Sequence, residues 1–203
     1  MATNEQGAWS EVALITITKK GGSDVQYASL IETIDIDPGE KGIEGVPNLA
    51  GGRLVKKTPQ GDMKITFEAY PILTGNSKGF SEIFNGLETW DTTEPLVVYS
   101  SRRRDLYRVA ILLSTGTETS AVGASTASNT AMRFVVVNAY CTKYTPSYTD
   151  GILKANIEFT VPPFNRLGVA QWYEDSTDGT TALTALNSFS TTNFPVDGTL
   201  FTW

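Results

Sequence analysis

The side chains able to do chemistry in this sequence are 22 Asp and Glu, a single cysteine, Cys141, and no histidine at all. Without histidine the commonest general base, the Ser-His and Cys-His nucleophile pairs and the usual zinc ligand are gone. Two carboxylates suffice for glycoside hydrolysis, but only when held a few ångströms apart, and no spacing in the chain marks such a pair. Two segments imitate known sites. GNSKG, residues 75–79, lacks the four residues between glycines and the following Lys-Ser/Thr of a phosphate-cradling loop, and reads as a turn. EDSTDG, residues 174–179, opens like a calcium loop, but Ser176 holds the third position and Ala185 stands where a bidentate Glu should close it, so it reads as a solvated turn. Cys141, inside FVVVNAYCTKY, reads as a buried free thiol and excludes an intrachain disulfide. The run Arg102–Arg104 belongs to a chain with a net charge of -6, where three cations at a turn are a solvated tip or an ion-pair contact. A nucleic-acid contact there stays open. The charge balance itself opposes tight, sequence-independent binding of phosphates. The chain is therefore not expected to be an enzyme, and no cofactor or metal site is expected.

These residues sit on elements whose signals are mostly those of strands. EVALITITKK, SLIETIDID, MKITFEAY, EPLVVYSS, DLYRVAILLS, MRFVVVNAYCTKYT and ILKANIEFTV alternate or run apolar between turn residues, which predicts a mainly β fold, a sandwich or partial barrel. RRRD and PSYTDG are expected to close antiparallel hairpins. One helix is expected in SKGFSEIFNGL, where Phe80, Ile83, Phe84 and Leu87 recur at helical spacing and Ser77 can cap the start. Its apolar stripe should pack on the sheet. Residues 38–52, PGEKGIEGVPNLAGG, form a glycine-rich excursion too long for a compact connection, either mobile or committed to a partner. Residues 114–131 are almost all Ser, Thr, Ala and Gly, and are expected to be a surface loop. At 203 residues the chain suits one β domain, residues 1–165, followed by a polar arm, 166–203, with spaced aromatics. That arm either docks on a neighbour or folds back on its own domain. The N-terminus lacks a basic segment followed by an apolar one, and no run reaches the roughly 20 apolar residues of a membrane span. A soluble intracellular product, or one exported by lysis, is expected.

In GDMKITFEAYPI, residues 61–72, Met63, Ile65, Phe67 and Ala69 point one way and Lys64, Thr66, Glu68 and Tyr70 the other. DGILKANIEFTVPPF, residues 150–164, repeats the plan with Leu153, Ala155, Ile157, Phe159 and Val161 against Lys154, Asn156, Glu158 and Thr160. A glycine-rich excursion, GGRLVKKTPQGDMKITFEAYPI, a short amphipathic helix, an Arg-tipped hairpin and FVVVNAYCTKYTPSYTDGILKANIEFTVPPFN follow one another in that order. From about residue 10 to 165 this order resembles the tail tube proteins of tailed viruses. The resemblance implies a small β-sandwich with a flanking helix, assembled into hexameric rings that stack into a tube in the virion tail. Each subunit would add strands to one barrel around the channel through which the genome leaves. It implies that Lys64, Thr66, Glu68, Lys154, Asn156, Glu158 and Thr160 face the lumen. Ile43, Val46, Pro47, Leu49, Phe201 and Trp203 are expected at contacts between subunits. The implied partners are further copies of the chain, other tail proteins at the tube ends, a sheath, and DNA that passes without specific binding; no membrane is involved. Assembly in the host cytoplasm would follow. Two other readings stand beside it. One is the tube subunit of a phage-derived injection device; the other is a carbohydrate-binding β-sandwich using Trp9, Trp90, Trp172 or Trp203 as stacking platforms.

Overall fold

A computed structural model describes residues 12–20, 24–26, 31–70, 80–85, 105–116, 118–166 and 168–186. Among these residues ten strands and one short helix follow in order: β1 (Val12–Lys19), β2 (Asp24–Gln26), β3 (Ile31–Asp37), β4 (Ile43–Pro47), β5 (Arg53–Lys57), β6 (Met63–Ala69), α1 (Phe80–Asn85), β7 (Tyr107–Ser114), β8 (Ala131–Thr149), β9 (Ile152–Val161) and β10 (Trp172–Thr177). The fold is mainly β, as the alternating segments predict. EPLVVYSS, GNSKG, Arg102–Arg104, Trp9, Trp90, Phe201 and Trp203 lie outside the described residues, as do the flanks of the expected helix.

The longest described strand, β8 at 19 residues, joins two halves of one curled eight-stranded sheet, termed the first and second sheets. Its first half pairs with β7 on one side and β10 on the other, in a sheet that continues through β1 to β2. Its second half, from Tyr140 onward, pairs with β9 in a sheet that continues through β6 to β3. The change of sheet occurs at Asn138, whose φ of 54° is left-handed, and the register against β7 shifts between Tyr107 and Val109. An extra residue bends a strand in this way and increases its twist. The displaced peptide is not left unpaired, because the Val137 amide donates to the Gln171 carbonyl at 3.0 Å.

The core lies between the two sheets. Met63, Ile65, Phe67 and Ala69 of β6 and Ala155, Ile157, Phe159 and Val161 of β9 are buried against Ile15, Ile17, Val109, Ile111 and Val136 from the first sheet. The Phe67 ring stacks on Phe159 at 6.2 Å and meets the edge of Phe80 at 5.6 Å. Phe80 and Ile83 bring α1 onto this core, as their spacing predicts, and the Tyr107 hydroxyl donates to the Ile83 carbonyl at 3.0 Å. Cys141 is a buried thiol outside any disulfide, its Sγ 3.9 Å from the Lys143 carbonyl.

Three expectations for the connecting segments require correction. PSYTDG is not all turn: Pro146, Ser147 and Tyr148 continue β8, and only Asp150 and Gly151 turn the chain, with φ of 54° and 80°. Both central residues at positive φ are the mark of the tight hairpin turn that suits the strands' twist. A proline is tolerated before it because, among the described residues, this half of β8 has a strand on one side only. Residues 114–131 are not merely a surface loop. Ala121 is completely buried with Leu14, Ala110, Leu112, Val135, Leu183 and Leu186 in a second apolar cluster on the outer face of the first sheet. Glu118 organises the segment by accepting hydrogen bonds from Ser114 Oγ at 2.5 Å, Asn129 Nδ2 at 2.8 Å and the Thr126 amide at 3.1 Å. Burial raises its pKa, yet these donors outweigh it and hold the carboxyl below its ordinary value. EDSTDG is not a turn either, since Glu174 to Thr177 belong to β10, antiparallel to β8. In the tail, β10, Leu183 and Leu186 pack on the chain's own first sheet.

Candidate assembly surfaces

The second sheet, β3-β6-β9 with the second half of β8, has one face in the core and one face of polar residues. Register aligns these residues in rungs across the strands. Asp37, Lys64, Thr160 and Tyr140 share the first; Asp35, Thr66, Glu158 and Lys143 the second; Thr33, Glu68, Asn156 and Thr145 the third. Lys154 stands opposite Ser147 in the fourth. All seven positions expected on the polar side, Lys64, Thr66, Glu68, Lys154, Asn156, Glu158 and Thr160, therefore share one surface. Strand period alone dictates this, because residues two apart point the same way. The sequence reading missed the contributions of β3 and β8. Thr142 Oγ1 donates to Glu158 Oε1 at 3.0 Å and lies 2.9 Å from Thr160 Oγ1, so β8 helps hold the Glu158 carboxylate in place. The face is mixed in charge: Asp35, Asp37, Glu68 and Glu158 against Lys64, Lys143 and Lys154.

Both edges of this sheet are open among the described residues. On one side β3 pairs only with β6; on the other, Lys143 to Thr149 of β8 pair only with β9. Neighbours alternate in direction across all four strands, so the two outer edges run opposite ways. A second copy placed beside the first by simple rotation would set β3 antiparallel to β8 and continue the alternation. The edges also differ in charge: β3 carries Asp35 and Asp37, whereas the open part of β8 carries Lys143 without an anion. Exposed edges of this length invite pairing with another chain.

The expected excursion at residues 38–52 is in fact half of a two-stranded ribbon. β4 and β5 pair with each other and with no other described strand, extending the β3-β6 hairpin beyond the body of the fold. The stem is closed by the Thr58 amide on the Gly42 carbonyl at 3.0 Å and the Gly61 amide on the Glu40 carbonyl at 2.9 Å. Gly39, at φ 78°, is obligatory there, because a Cβ would stand 2.4 Å from the Gly61 carbonyl oxygen. Asn48 builds the tip: its side-chain oxygen accepts from the amides of Ala50 and Gly52 at 3.1 and 2.8 Å. Ile43, Val46 and Leu49 are exposed, as are Leu54 and Val55, which the sequence reading missed. Register puts Ile43, Pro47 and Val55 with Arg53 and Lys57 on one face, and Val46 and Leu54 with Glu44 and Lys56 on the other, so each face of the ribbon mixes apolar and charged side chains. Two strands alone are marginally stable in water, and apolar residues on both faces are left for something else to cover.

Of the four tryptophans proposed as stacking platforms, the described one, Trp172, packs on Phe134 at 5.8 Å and donates from Nε1 to Glu174 Oε1 at 2.7 Å. It is used inside the fold.

No family model matches the chain, and no curated protein matches it. Among solved structures, the fold is similar to that of a chain in the sheath-tube complex, in the extended state, of an extracellular contractile injection system, PVC. Identity is 13%, the match covers 80% of this chain and 88% of that one, and the TM-score is 0.46. A chain of the tube-terminating cap of the anti-feeding prophage is 10% identical over 80% of this chain and 88% of its own length, with a TM-score of 0.44. The Hcp1 protein from E. coli EAEC 042 pathovar is 8% identical over 81% of this chain and 97% of its own, with a TM-score of 0.34. The solved structures to which this chain is similar thus include parts of tube-bearing injection assemblies.

Proposed function

We propose that this chain is the repeating structural subunit of a tube, built from hexameric rings in a viral tail, and that the tube conducts the genome during ejection. The observation that carries the reading is the four-stranded sheet with a polar face and two open, antiparallel-compatible edges. Closing a sheet on itself is the one arrangement that abolishes edges. Six copies would give 24 strands; at a spacing of about 4.8 Å and a tilt of about 40°, the barrel would be roughly 48 Å across between backbones. Side chains would leave about 38 Å clear, taking half the roughly 10 Å separation of packed sheets on each side. Lys64, Thr66, Glu68, Lys154, Asn156, Glu158 and Thr160 then line the lumen, joined by Thr33, Asp35, Lys143 and Thr145. Lys143 of one copy meets the acidic β3 edge of the next. A lumen of alternating sign offers DNA no continuous cationic track, so a polymer moves through without being held. The ribbon supplies contacts between rings through Ile43, Val46, Pro47 and Leu49, and Phe201 and Trp203 add a contact from the C-terminal arm. End proteins, a sheath and assembly in the host cytoplasm belong to the same reading. Protein cargo, as in an injection device, would use the same geometry.

Negative-stain electron microscopy of the purified protein tests the proposal. Stacked rings with a central hole are expected. A monodisperse monomer at every concentration tried would overturn it, and glycan binding by that monomer would favour the carbohydrate-binding alternative.

A further inference from the structure

Asn138, where β8 passes from the first sheet to the second, has a left-handed φ of 54°. Asparagine tolerates this region better than most residues, but glycine enters it at less cost, so the conformation alone does not call for an amide. The side chain has a second task. Its Nδ2 donates to Oε1 of Gln171, a residue only 2% exposed. The orientation of that amide is fixed from its other end, because Gln171 Nε2 donates to the carbonyls of Val169 at 3.1 Å and Ala170 at 3.4 Å. The backbone of Gln171 is engaged too: its carbonyl accepts from the Val137 amide at 3.0 Å, and its amide donates to the Pro163 carbonyl at 3.0 Å. Gln171 ends segment 162–171, which carries the chain from β9 in the second sheet to β10 in the first. Asn165 folds that segment back on itself: its side-chain oxygen accepts from the Val169 amide at 2.9 Å, and its carbonyl from the Gly168 amide at 2.9 Å. Among the described residues, β8 and this segment are the places where the chain crosses from one sheet to the other. Asn138 and Gln171 pin the two crossings together.

We infer that Asn138 and Gln171 form a lock on the angle between the two sheets, and that in the proposed tube this angle sets the wedge each copy fills in a ring. A bulge bends a strand, and an amide pair anchored to backbone on both sides of the bend fixes its size. Removing either amide leaves a buried polar atom without its match, which the chain relieves by opening the junction. This first part stands on the single chain. The second rests on the tube reading, in which the second sheet forms the wall and the first stands outside it. The tilt of one against the other then decides how closely neighbouring copies pack around the axis. Head-to-tail contacts close into a ring only when the rotation per copy divides a full turn, so a loosened angle lets rings close with different numbers of copies.

Spin labels on the two sheets test the lock in the whole chain without any assembly. Ser147→Cys, in the second half of β8, and Ser176→Cys, in β10, are both exposed sites, while the native Cys141 is buried. Pulsed electron resonance on diluted monomer should give one narrow distance. Asn138→Gly keeps the left-handed backbone and loses the amide; Gln171→Met keeps the backbone and nearly the shape. Both should replace the narrow distance by a broad, shifted distribution. Unchanged distances in both would overturn the lock, and broadening in Asn138→Gly alone would assign the effect to glycine's backbone freedom and overturn it too. Should Gln171→Met fail to fold, Asn138→Asp decides, since its carboxylate has no proton to give to Gln171 Oε1; a narrow, unshifted distance there would sink the inference. Microscopy of assembled protein tests the wedge. Wild-type rings should show one rotational symmetry and lock variants a mixture, whereas Leu183→Ala, which weakens the second apolar cluster away from the bend, should keep one. A single symmetry in variants whose distances have broadened would overturn the wedge. Absence of rings from wild-type protein would sink the tube reading and the wedge with it, and the distance measurement would still decide the lock.

Discussion

Arg133 is a guanidinium with no solvent exposure, held by Asp175 at 2.5 and 3.0 Å and by the carbonyls of Gly123 at 2.9 Å and Thr184 at 2.7 Å. One side chain so ties β8, β10, the segment after β7 and the tail. Replacing Arg133 by Leu leaves Asp175 next to an apolar cluster with no counter-charge, and breaking a buried pair from one side costs about 3 to 5 kcal/mol. Arg133→Leu combined with Asp175→Leu should recover most of that loss, since an apolar pair of similar volume does not need the charges. Urea unfolding of the two variants measures both; equal loss in both would mean that the carbonyl bonds, not the ion pair, carry the stability. The two faces of the second sheet give a ranking of the same kind. Phe67→Ala or Phe159→Ala empties the centre of a ring cluster and should cost about 3 to 5 kcal/mol. Thr66→Ala on the polar face should cost less than about 1 kcal/mol. A reversed order in the same unfolding assay would mean that the polar face is the packed one.

At the scale of elements, the ribbon gives the sharpest stability test, because its stem is already closed by the Thr58-Gly42 hydrogen bond. Residues 43–57 replaced by Asn-Gly should leave a folded monomer whose thermal midpoint is unchanged, since the ribbon packs on nothing else described, and no stacked rings should form. A fall of many degrees in the midpoint would show that the ribbon supports the body. The elements legible in the sequence are those placed between a core and a polar surface. β6 and β9 have one apolar and one polar side, which alternation reports directly, and α1 has a stripe from Phe80 to Phe84 that only a helix aligns. β4 and β5 were not legible, because neither has a core to alternate against and Gly45 and Pro47 argue against a strand. β10 hid behind Glu174, Asp175 and Ser176, whose acidity is answered by a buried Arg133 more than forty residues away in sequence. The Ser/Thr/Ala/Gly segment has too little apolar mass of its own, yet Leu183 and Leu186 from the tail supply it. The polar face was legible as a face, but its extent across β3 and β8 depends on register between strands distant in sequence, which period alone does not specify.

For the whole molecule, the proposed tube makes charge repeated along its channel the decisive quantity. Glu68 and Glu158 stand in adjacent rungs of the polar face, and neither belongs to the buried core. Changing both to Lys alters the charge by four units per subunit, and the proposed ring of six would multiply this to about 24, repeated at every ring. Each new contact is weakened by screening over about 8 Å at physiological salt. DNA, however, carries one charge per about 1.7 Å of its axis and would meet the reversed rings in succession, so drag accumulates where a single pair would not matter. Glu158→Lys also loses the carboxylate that Thr142 donates to, a local cost that stays small at a partly open site. The double variant should therefore form tubes of normal length but yield particles that eject DNA several-fold more slowly, with partial rescue on raising the salt. Ejection rate at two salt concentrations, with tube length from microscopy of the same particles, measures this. Normal ejection through well-formed variant tubes would remove these carboxylates from the channel wall, and failure to assemble would put them at a joint between subunits instead.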